Sequence, residues 1–510
     1  MNYTHLIILI TIIIYLLIVL LIGIYYTNKN KNVDDFYLGG RTLGPWVTAM
    51  SAEASDMSGW LLMGLPGLAY LTGIANAFWT AIGLAIGTYI NWHFIAKRMR
   101  VYSQVLNVIT IPHFFSKRYN DKRNILTVVS ALIIIIFFIP YTAAGFVTCA
   151  KLFTTIFHIN YTIALLLSAF IIVSYTVLGG FLAASTTDFV QSIAMTFALL
   201  FIIYFGITTL GDIQSIHQTM SGIEGYLSLS TVYTPTHLSS MKWIDIISML
   251  AWGLGYFGMP HILLRFMAIE SQDKIQLSRR IATSWAFVSL ALAIFIGVIG
   301  FCFTSQGLLP MLEGATSETI IIQLTQLMSS HSYLFAMFAG VILAGILAAT
   351  MSTADSQLLV ASSAVSENIF KDFFHVKMDH KKAMAIARFT LLFISCFAFV
   401  LALNPNNKIF DIVSFAWAGF GASFGPIIVC ALFDKKSNYY GAINSLIIGA
   451  SIVIIWSLWL KPLGGIFNIY ELLPAFIFAL ISNIVISRCT HQADSSILED
   501  FDCYQQELHK

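Results

Sequence analysis

Apolar runs of about twenty residues, the length that carries an α-helix across a hydrocarbon core, recur along this chain of 510 residues. A window of about 19 residues finds about thirteen of them, starting near residues 5, 46, 75, 125, 161, 189, 242, 281, 333, 386, 408, 440 and 467. Lipid offers backbone N–H and C=O groups no partner, so runs of this kind must be helices. Composition agrees, with 58% of residues hydrophobic and only 10% charged, where a soluble domain carries about a quarter. The expected fold class is an all-α integral membrane protein. A net charge of +2 is too small to imply nucleic acid or an acidic partner. The six cysteines are scattered, without C-x-x-C or ligand spacing, and read as apolar fillers or incidental thiols. The first run, Leu6 to Tyr26, has no basic flank before it and no small-residue cleavage site after it, so a retained helix is expected rather than a signal peptide.

Charge in the loops predicts orientation. Lys29, Lys31 and Arg41 follow the first run, and Lys97, Arg98, Arg100, Lys117, Arg118, Lys122 and Arg123 follow the third. Lys274, Arg279 and Arg280 follow the seventh, Lys371, Lys377, Lys381 and Lys382 the ninth, and Lys435 and Lys436 the eleventh. The alternate loops are nearly free of basic residues, which places the N-terminus outside and the C-terminus in the cytoplasm. An odd number of crossings requires those opposite sides.

The second run, Trp46 to Tyr70, holds Ala54-Ser55-Asp56-Met57-Ser58-Gly59-Trp60 near its middle. An acid at that depth marks a functional site by default, and a Ser-Gly pair invites a break whose freed carbonyls need protein, water or an ion. Two readings stand: the interrupted helix of a transporter, or a glycine-kinked helix with one satisfied polar residue. The seventh run carries a similar interruption, Trp252-Gly253-Leu254-Gly255-Tyr256-Phe257-Gly258-Met259-Pro260. It lies five runs later and crosses in the opposite direction. Paired broken helices at matching places point to an inverted-repeat transporter.

The ninth run contributes Ala349, Ser352 and Thr353. At 1.5 Å per residue, Ala54 to Met57 lie about 12–17 Å in from the cytoplasmic end of the second run. Ser352 and Thr353 lie roughly 20 Å up the ninth, counted from unwinding expected near Glu367. Hydroxyls and freed carbonyls are neutral oxygen ligands that suit a hard cation. They take up no proton near neutral pH, which favours Na⁺ over H⁺. The same hydroxyls also serve simply to join helices. Trp252, Tyr256 and Pro260, at i, i+4 and i+8, are expected on one helix face, with Tyr141 of the fourth run as a further wall. A small apolar ring packs against such aromatics, and a carboxylate suits the half-helix N-terminus at Ser58-Gly59. Lipid-facing or core aromatics are the plainer alternative. Asp188, after Ser185-Thr186-Thr187 and three residues before Gln191, is expected to cap a helix start. Asp355 reads as a relay or a solvated acid, and His93, His113 and His261 as interfacial.

These stretches resemble the sodium:solute symporter family over nearly the whole chain. The specific segments are Ala54 to Gly67, Trp252 to Gly258 with Pro260-His261, Ile346 to Ala349 with Met351-Ser352-Thr353, Ser356 to Leu359, and the Gly179-Gly180-Phe181 turn before Asp188. The resemblance implies a LeuT-type core of five plus five inverted helices. It implies residues 1–45 as an extra crossing and basic loop, 46–210 and 242–433 as the repeats, and 211–241 as an outer loop. Two last crossings would fill 434–488 and a cytoplasmic tail 489–510. It further implies Na⁺ held by the carbonyls of Ala54, Met57 and Ala349 and the hydroxyls of Ser352 and Thr353, with Asp56 and Asp188 acting on sodium affinity or coupling. The solute it implies is L-proline, held around Ser58, Gly59, Trp60, Tyr141, Trp252, Tyr256 and Pro260. No organic cofactor and no obligate protein partner are implied. Two positions depart from the family pattern: Glu53 stands where glycine is frequent, and Met259 where glutamine is frequent. Rivals are a symporter of the same fold for another small carboxylate or neutral solute, and a membrane sensor that binds without transport. A channel should show polar stripes or charged rings, and none is present. No nucleophile, base and acid occur together as an enzyme would need.

Overall fold

The computed structural model describes residues 3–27, 33–178, 180–234, 237–376, 380–490 and 495–509. Lys29, Lys31, Gly179 and Lys377 fall outside them. Among the described residues eight helices are long and apolar enough to cross a membrane, and the bent pair Trp243–Gly258 and Pro260–Ala268 makes nine. A helix lies on or beside each expected run. Three begin earlier than expected, at Phe181, Ile275 and His380, because their polar first turns lower the local hydropathy. The Ile125–Phe157 run is one helix of 33 residues with Pro140 inside it.

Polarity is arranged inside out. Ile13, Ile14, Leu17 and Leu21 of the Tyr3–Thr27 helix are exposed, as are Phe170, Phe197 and Phe389 elsewhere, while Ser51, Glu53, Ser55, Asp56 and Asp188 are buried. An apolar shell this extensive suits lipid rather than water.

The Pro45–Gly59 helix lies at the centre, packed between the Phe181–Leu210 and Tyr333–Ser363 helices. It breaks at Ser58 (φ 48°, ψ −169°), continues as a π-wound turn at Trp60–Gly64 and resumes at Leu65–Thr72. The partner crossing runs Trp243–Leu250, tightens to a 3-10 helix at Ala251–Gly258, passes through extended Met259 and resumes at Pro260. The two halves meet at 48°. Glycine is required where this crossing touches the Ile74–Ile90 helix, because a Cβ on Gly87 would run into the backbone of Gly253.

One expectation changes. The ninth helix widens at Ala364, before Glu367, and continues to Phe373. The tail contains a helix, Ser495–Leu508, docked on the Ala96–Val105 helix: Tyr504 stacks on Tyr102 with ring centroids 4.3 Å apart. The 211–241 segment holds a short helix, Ile213–Ser221, and a hairpin pairing Thr231–Thr234 with His237–Ser240.

Candidate functional site

The break at Ser58 decides where the site forms. Ser58 occupies backbone space that non-glycine residues avoid, and its Oγ accepts from Trp60 N at 3.1 Å. Trp60 N also donates to the Met57 carbonyl. Just before the break, Ser352 Oγ donates to the Ala54 carbonyl at 2.8 Å and to the Ala349 carbonyl at 3.1 Å. Thr353 Oγ1 donates to the same Ala349 carbonyl at 3.1 Å. Four of the five oxygens expected around sodium are thus drawn together across 298 residues of chain. All are neutral and buried. The fifth, the Met57 carbonyl, sits beyond Asp56 on the same helix end.

Five of the seven expected solute residues line two adjoining cavities that share Tyr141. Ser58 and Gly59 line one with Thr148, Thr353, Gln357 and Ile409. Trp60 and Trp252 line the other with Asp56, Met57, Val413 and Trp417. Thr353 therefore belongs both to the oxygen cluster and to the first cavity. Gly59 is needed there, because a Cβ would meet the Thr148 side chain. The Trp60 indole N–H and both amide atoms of Gln357 are buried without a hydrogen-bond partner. The indole N–H and Gln357 Nε2 are free to donate, and Gln357 Oε1 to accept, beside the cavities that these residues line. Trp252 packs on Trp60, Phe410 and Tyr470 at centroid distances of 5.4, 5.0 and 5.1 Å, closing an aromatic wall.

Tyr256 and Pro260 line neither cavity. The single-face expectation fails because 3-10 winding turns 120° per residue, so residues four apart diverge. Tyr256 instead donates its hydroxyl to Asp56 Oδ2 at 2.6 Å and sets its ring edge-on to Trp417. Tyr141 donates to the Asp56 carbonyl at 3.2 Å. Asp56 is thereby fixed by two phenols from other helices.

The capping role expected of Asp188 is overturned. Its helix starts at Phe181, which leaves Asp188 two turns inside. There Oδ2 accepts from Ser51 Oγ at 2.6 Å and pairs with Arg265 Nη2 at 3.0 Å, both side chains fully buried. Arg265 also donates to Ser51, Ser356 and the His261 carbonyl. Asp355 is buried rather than solvated, with Ser356 as its hydrogen-bond donor. His261 is wholly buried and not interfacial. Among the described residues no three His, Cys, Asp or Glu converge as a metal cluster would require.

Sequence reasoning missed Arg265, Lys151 and Glu318. Lys151 Nζ pairs with Glu318 Oε2 at 2.7 Å, and the Glu318 carboxylate accepts from Ile409 N and Phe410 N. This pins the start of the Ile409–Phe433 helix, whose Phe410 packs on Trp60 and Trp252. A basic residue inside each of two apolar runs was the available signal for Lys151 and Arg265. Glu318 sits in the short 3-10 helix Gly314–Thr319, outside the apolar runs, and gave none.

Known proteins resemble this chain. Residues 36–449 match the sodium:solute symporter family. A sodium/proline symporter of Staphylococcus aureus is 40% identical, the match covering 96% of this chain and 94% of that protein. Sodium/proline symporter 2 of Staphylococcus saprophyticus is also 40% identical, over 98% and 96%. Among solved structures, a Na⁺-coupled sialic acid symporter in a substrate-bound outward-open state is similar with a TM-score of 0.78 at 18% identity, covering 96% of this chain and 99% of that one. A nucleobase-cation-symport-1 family transporter in a closed conformation gives 0.55 at 11%, covering 93% and 99%. These two likenesses carry the fold, which is that of LeuT-like transporters.

Proposed function

The chain belongs to the sodium:solute symporter family, and from that premise we propose that it imports L-proline together with Na⁺ by alternating access. It is a multi-pass protein of the cell membrane. Thirteen crossings, N-terminus outside and C-terminus cytoplasmic, with 46–210 and 242–433 as inverted five-helix repeats, complete the architecture we infer. Residues 1–45, 211–241, 434–488 and 489–510 would then be the extra first crossing with its basic loop, the outer loop, the last two crossings and the tail.

Thr353 is the observation that carries the reading. Its hydroxyl joins the oxygen cluster of Ala54, Ala349 and Ser352, and its side chain lines the cavity of Ser58, Gly59 and Tyr141. On this reading an ion held by Ala54, Met57, Ala349, Ser352 and Thr353 shares a wall with the solute, so each orders the other's site. Such mutual ordering is a coupling free energy and is reciprocal. The solute's ring would lie on Trp252 and Trp60, with its carboxylate toward the Trp60 N–H, Gln357 and the Ser58-Gly59 turn. Asp56, held by Tyr256 and Tyr141, would raise sodium affinity without itself needing to touch the ion.

The membrane potential supplies the driving force. Inward movement of one Na⁺ yields about 2.3 kcal/mol per 100 mV. That supports a gradient of up to about fiftyfold, since 1.4 kcal/mol is tenfold.

Uptake of radiolabelled proline into proteoliposomes tests the proposal. An inward sodium gradient should stimulate it strongly. Uptake that ignores sodium would sink the coupling, and displacement by a different small carboxylate at lower concentration than proline would reassign the solute.

A further inference from the structure

Trp417 stands among small residues, Ala416, Ala418, Gly419 and Gly421, in the Ile409–Phe433 helix. Small neighbours let one large side chain meet an adjoining crossing at close range. Phe410, Val413 and Trp417 are spaced to share a face of that helix. Phe410 packs on Trp60 and Trp252, and Val413 and Trp417 line the second cavity beside Asp56, Trp60 and Trp252. Glu318 fixes the start of the helix through Ile409 N and Phe410 N, so this face is presented from a pinned element.

Trp417 is 2% exposed and grips the 3-10 stretch Ala251–Gly258 at two points. Its Nε1 donates to the Trp252 carbonyl at 2.8 Å. Its ring meets Tyr256 edge-on, with centroids 5.1 Å apart and planes at 89°. Nothing larger than glycine fits between the two grips, because a Cβ on Gly255 would run into the indole. A 3-10 stretch of eight residues is long for a winding whose runs rarely exceed three or four, and its own hydrogen bonds are poor. It therefore depends on contacts from outside. An indole suits both grips, since it joins one N–H donor to a broad apolar ring.

The two gripped residues face different chemistry. Trp252 lines the second cavity and packs on Trp60. Tyr256 donates its hydroxyl to Asp56 Oδ2 at 2.6 Å. Asp56 in turn lies between Met57 and Ala54 on the Pro45–Gly59 helix, and the Ala54 carbonyl belongs to the oxygen cluster.

We propose that Trp417 is a positioning residue that sets Trp252 for the solute and Tyr256 for Asp56, and so carries part of the coupling between solute and sodium. This rests on the reading of the chain as a sodium-coupled proline symporter with Trp252 in its solute wall. Coupling of this kind runs through packed side chains and is the same free energy seen from either ligand.

Trp417→Phe and Trp417→Leu, each in the full-length chain, separate the two grips. The phenylalanine variant keeps a ring against Tyr256 but leaves the Trp252 carbonyl without its donor. In proteoliposomes its KM for radiolabelled proline should rise about tenfold, with the maximal rate and ²²Na⁺ binding near wild type. In a Trp252→Ala background the same change should alter the KM by roughly twofold or less, because substitutions along one line of contact are not additive. Trp417→Leu loses the ring as well and should weaken ²²Na⁺ binding, measured without proline, by about threefold or more. Should that variant melt early, Tyr256→Phe keeps the ring on Trp417, drops the bond to Asp56, and should weaken sodium binding likewise. An unchanged proline KM in Trp417→Phe overturns the proposal. So does a full tenfold loss in the Trp252→Ala background, since Trp417 would then act on the solute directly or on the fold alone. Wild-type sodium binding by a well-folded Trp417→Leu removes the link to Asp56 and with it the coupling. A wild-type chain that takes up no proline under a sodium gradient sinks the transport reading, and the ²²Na⁺ measurements then still decide whether Trp417 acts on Asp56. Sodium-driven uptake that Trp417→Phe leaves unaltered sinks this proposal alone.

Discussion

At Ser58 the chain leaves helical geometry through a single residue with φ 48°, whereas from Ala251 to Gly258 it tightens into 3-10 turns and breaks at extended Met259. The first break is sharp and surrounded by hydroxyls: Ser352 and Thr353 reach the carbonyls beside it, and Thr148 lies against Gly59. The second is gradual and surrounded by rings, with Trp417 Nε1 donating to the Trp252 carbonyl at 2.8 Å. One break gathers neutral oxygens beside it. The other spends its freed carbonyl on an indole and offers aromatic surface. Glycine-rich interruptions that look alike in sequence thus serve different chemistry, because the neighbouring helices differ.

That contrast can be broken by experiment. The largest effect is expected at Arg265, which stands in the Pro260–Ala268 helix just past the second break. Arg265→Met leaves Asp188 buried and unpaired, costing about 3–5 kcal/mol. The melting temperature should fall steeply, and Arg265→Met with Asp188→Leu should recover most of it. No recovery would mean that the pair does more than balance charge.

Trp252→Ala comes next. Loss of the aromatic surface should weaken proline binding by about 2–3 kcal/mol, roughly a hundredfold, while sodium binding measured alone stays near wild type. Equal loss of both would erase the division of labour between the breaks. Ser352→Ala should do the opposite. Removing a hydroxyl that serves a charged ligand costs about 1.5 kcal/mol or more, seen as at least a tenfold rise in the sodium concentration for half-maximal uptake. Proline affinity at saturating sodium should be retained. The smallest change is expected from Ser58→Gly. Glycine accepts this backbone without strain, so stability should shift by about 1 kcal/mol or less in thermal melts. Ser58→Val, which cannot relieve the strain, should cost visibly more.

Much of the fold was legible in the chain. Hydropathy located the helices, and Ser58-Gly59 and Gly258-Met259-Pro260 marked both interruptions, since a broken helix in lipid needs residues that tolerate unusual backbone. The oxygen cluster was partly legible, because helical rise put Ser352 and Ala54 at comparable depth. The cap expected of Asp188 failed because a polar segment preceding an apolar run looks like a helix start whether or not the helix has already begun. The shared face of Trp252, Tyr256 and Pro260 failed because winding is not written in spacing: the close approach of Gly253 to Gly87 accompanies a tighter turn, and a tighter turn rotates side chains.

By itself the sequence determined which segments prefer lipid, where the backbone is free to break and which side chains bring oxygen or aromatic surface, since these follow from transfer free energies and local sterics. Tertiary structure alone decided the partners. It gave Asp188 an arginine 77 residues away and Asp56 a phenol 200 residues away, and it left Glu53 with only an indole. A buried charge takes its meaning from the groups within a few ångströms of it, and those groups arrive from helices that the order of the chain does not reveal as neighbours.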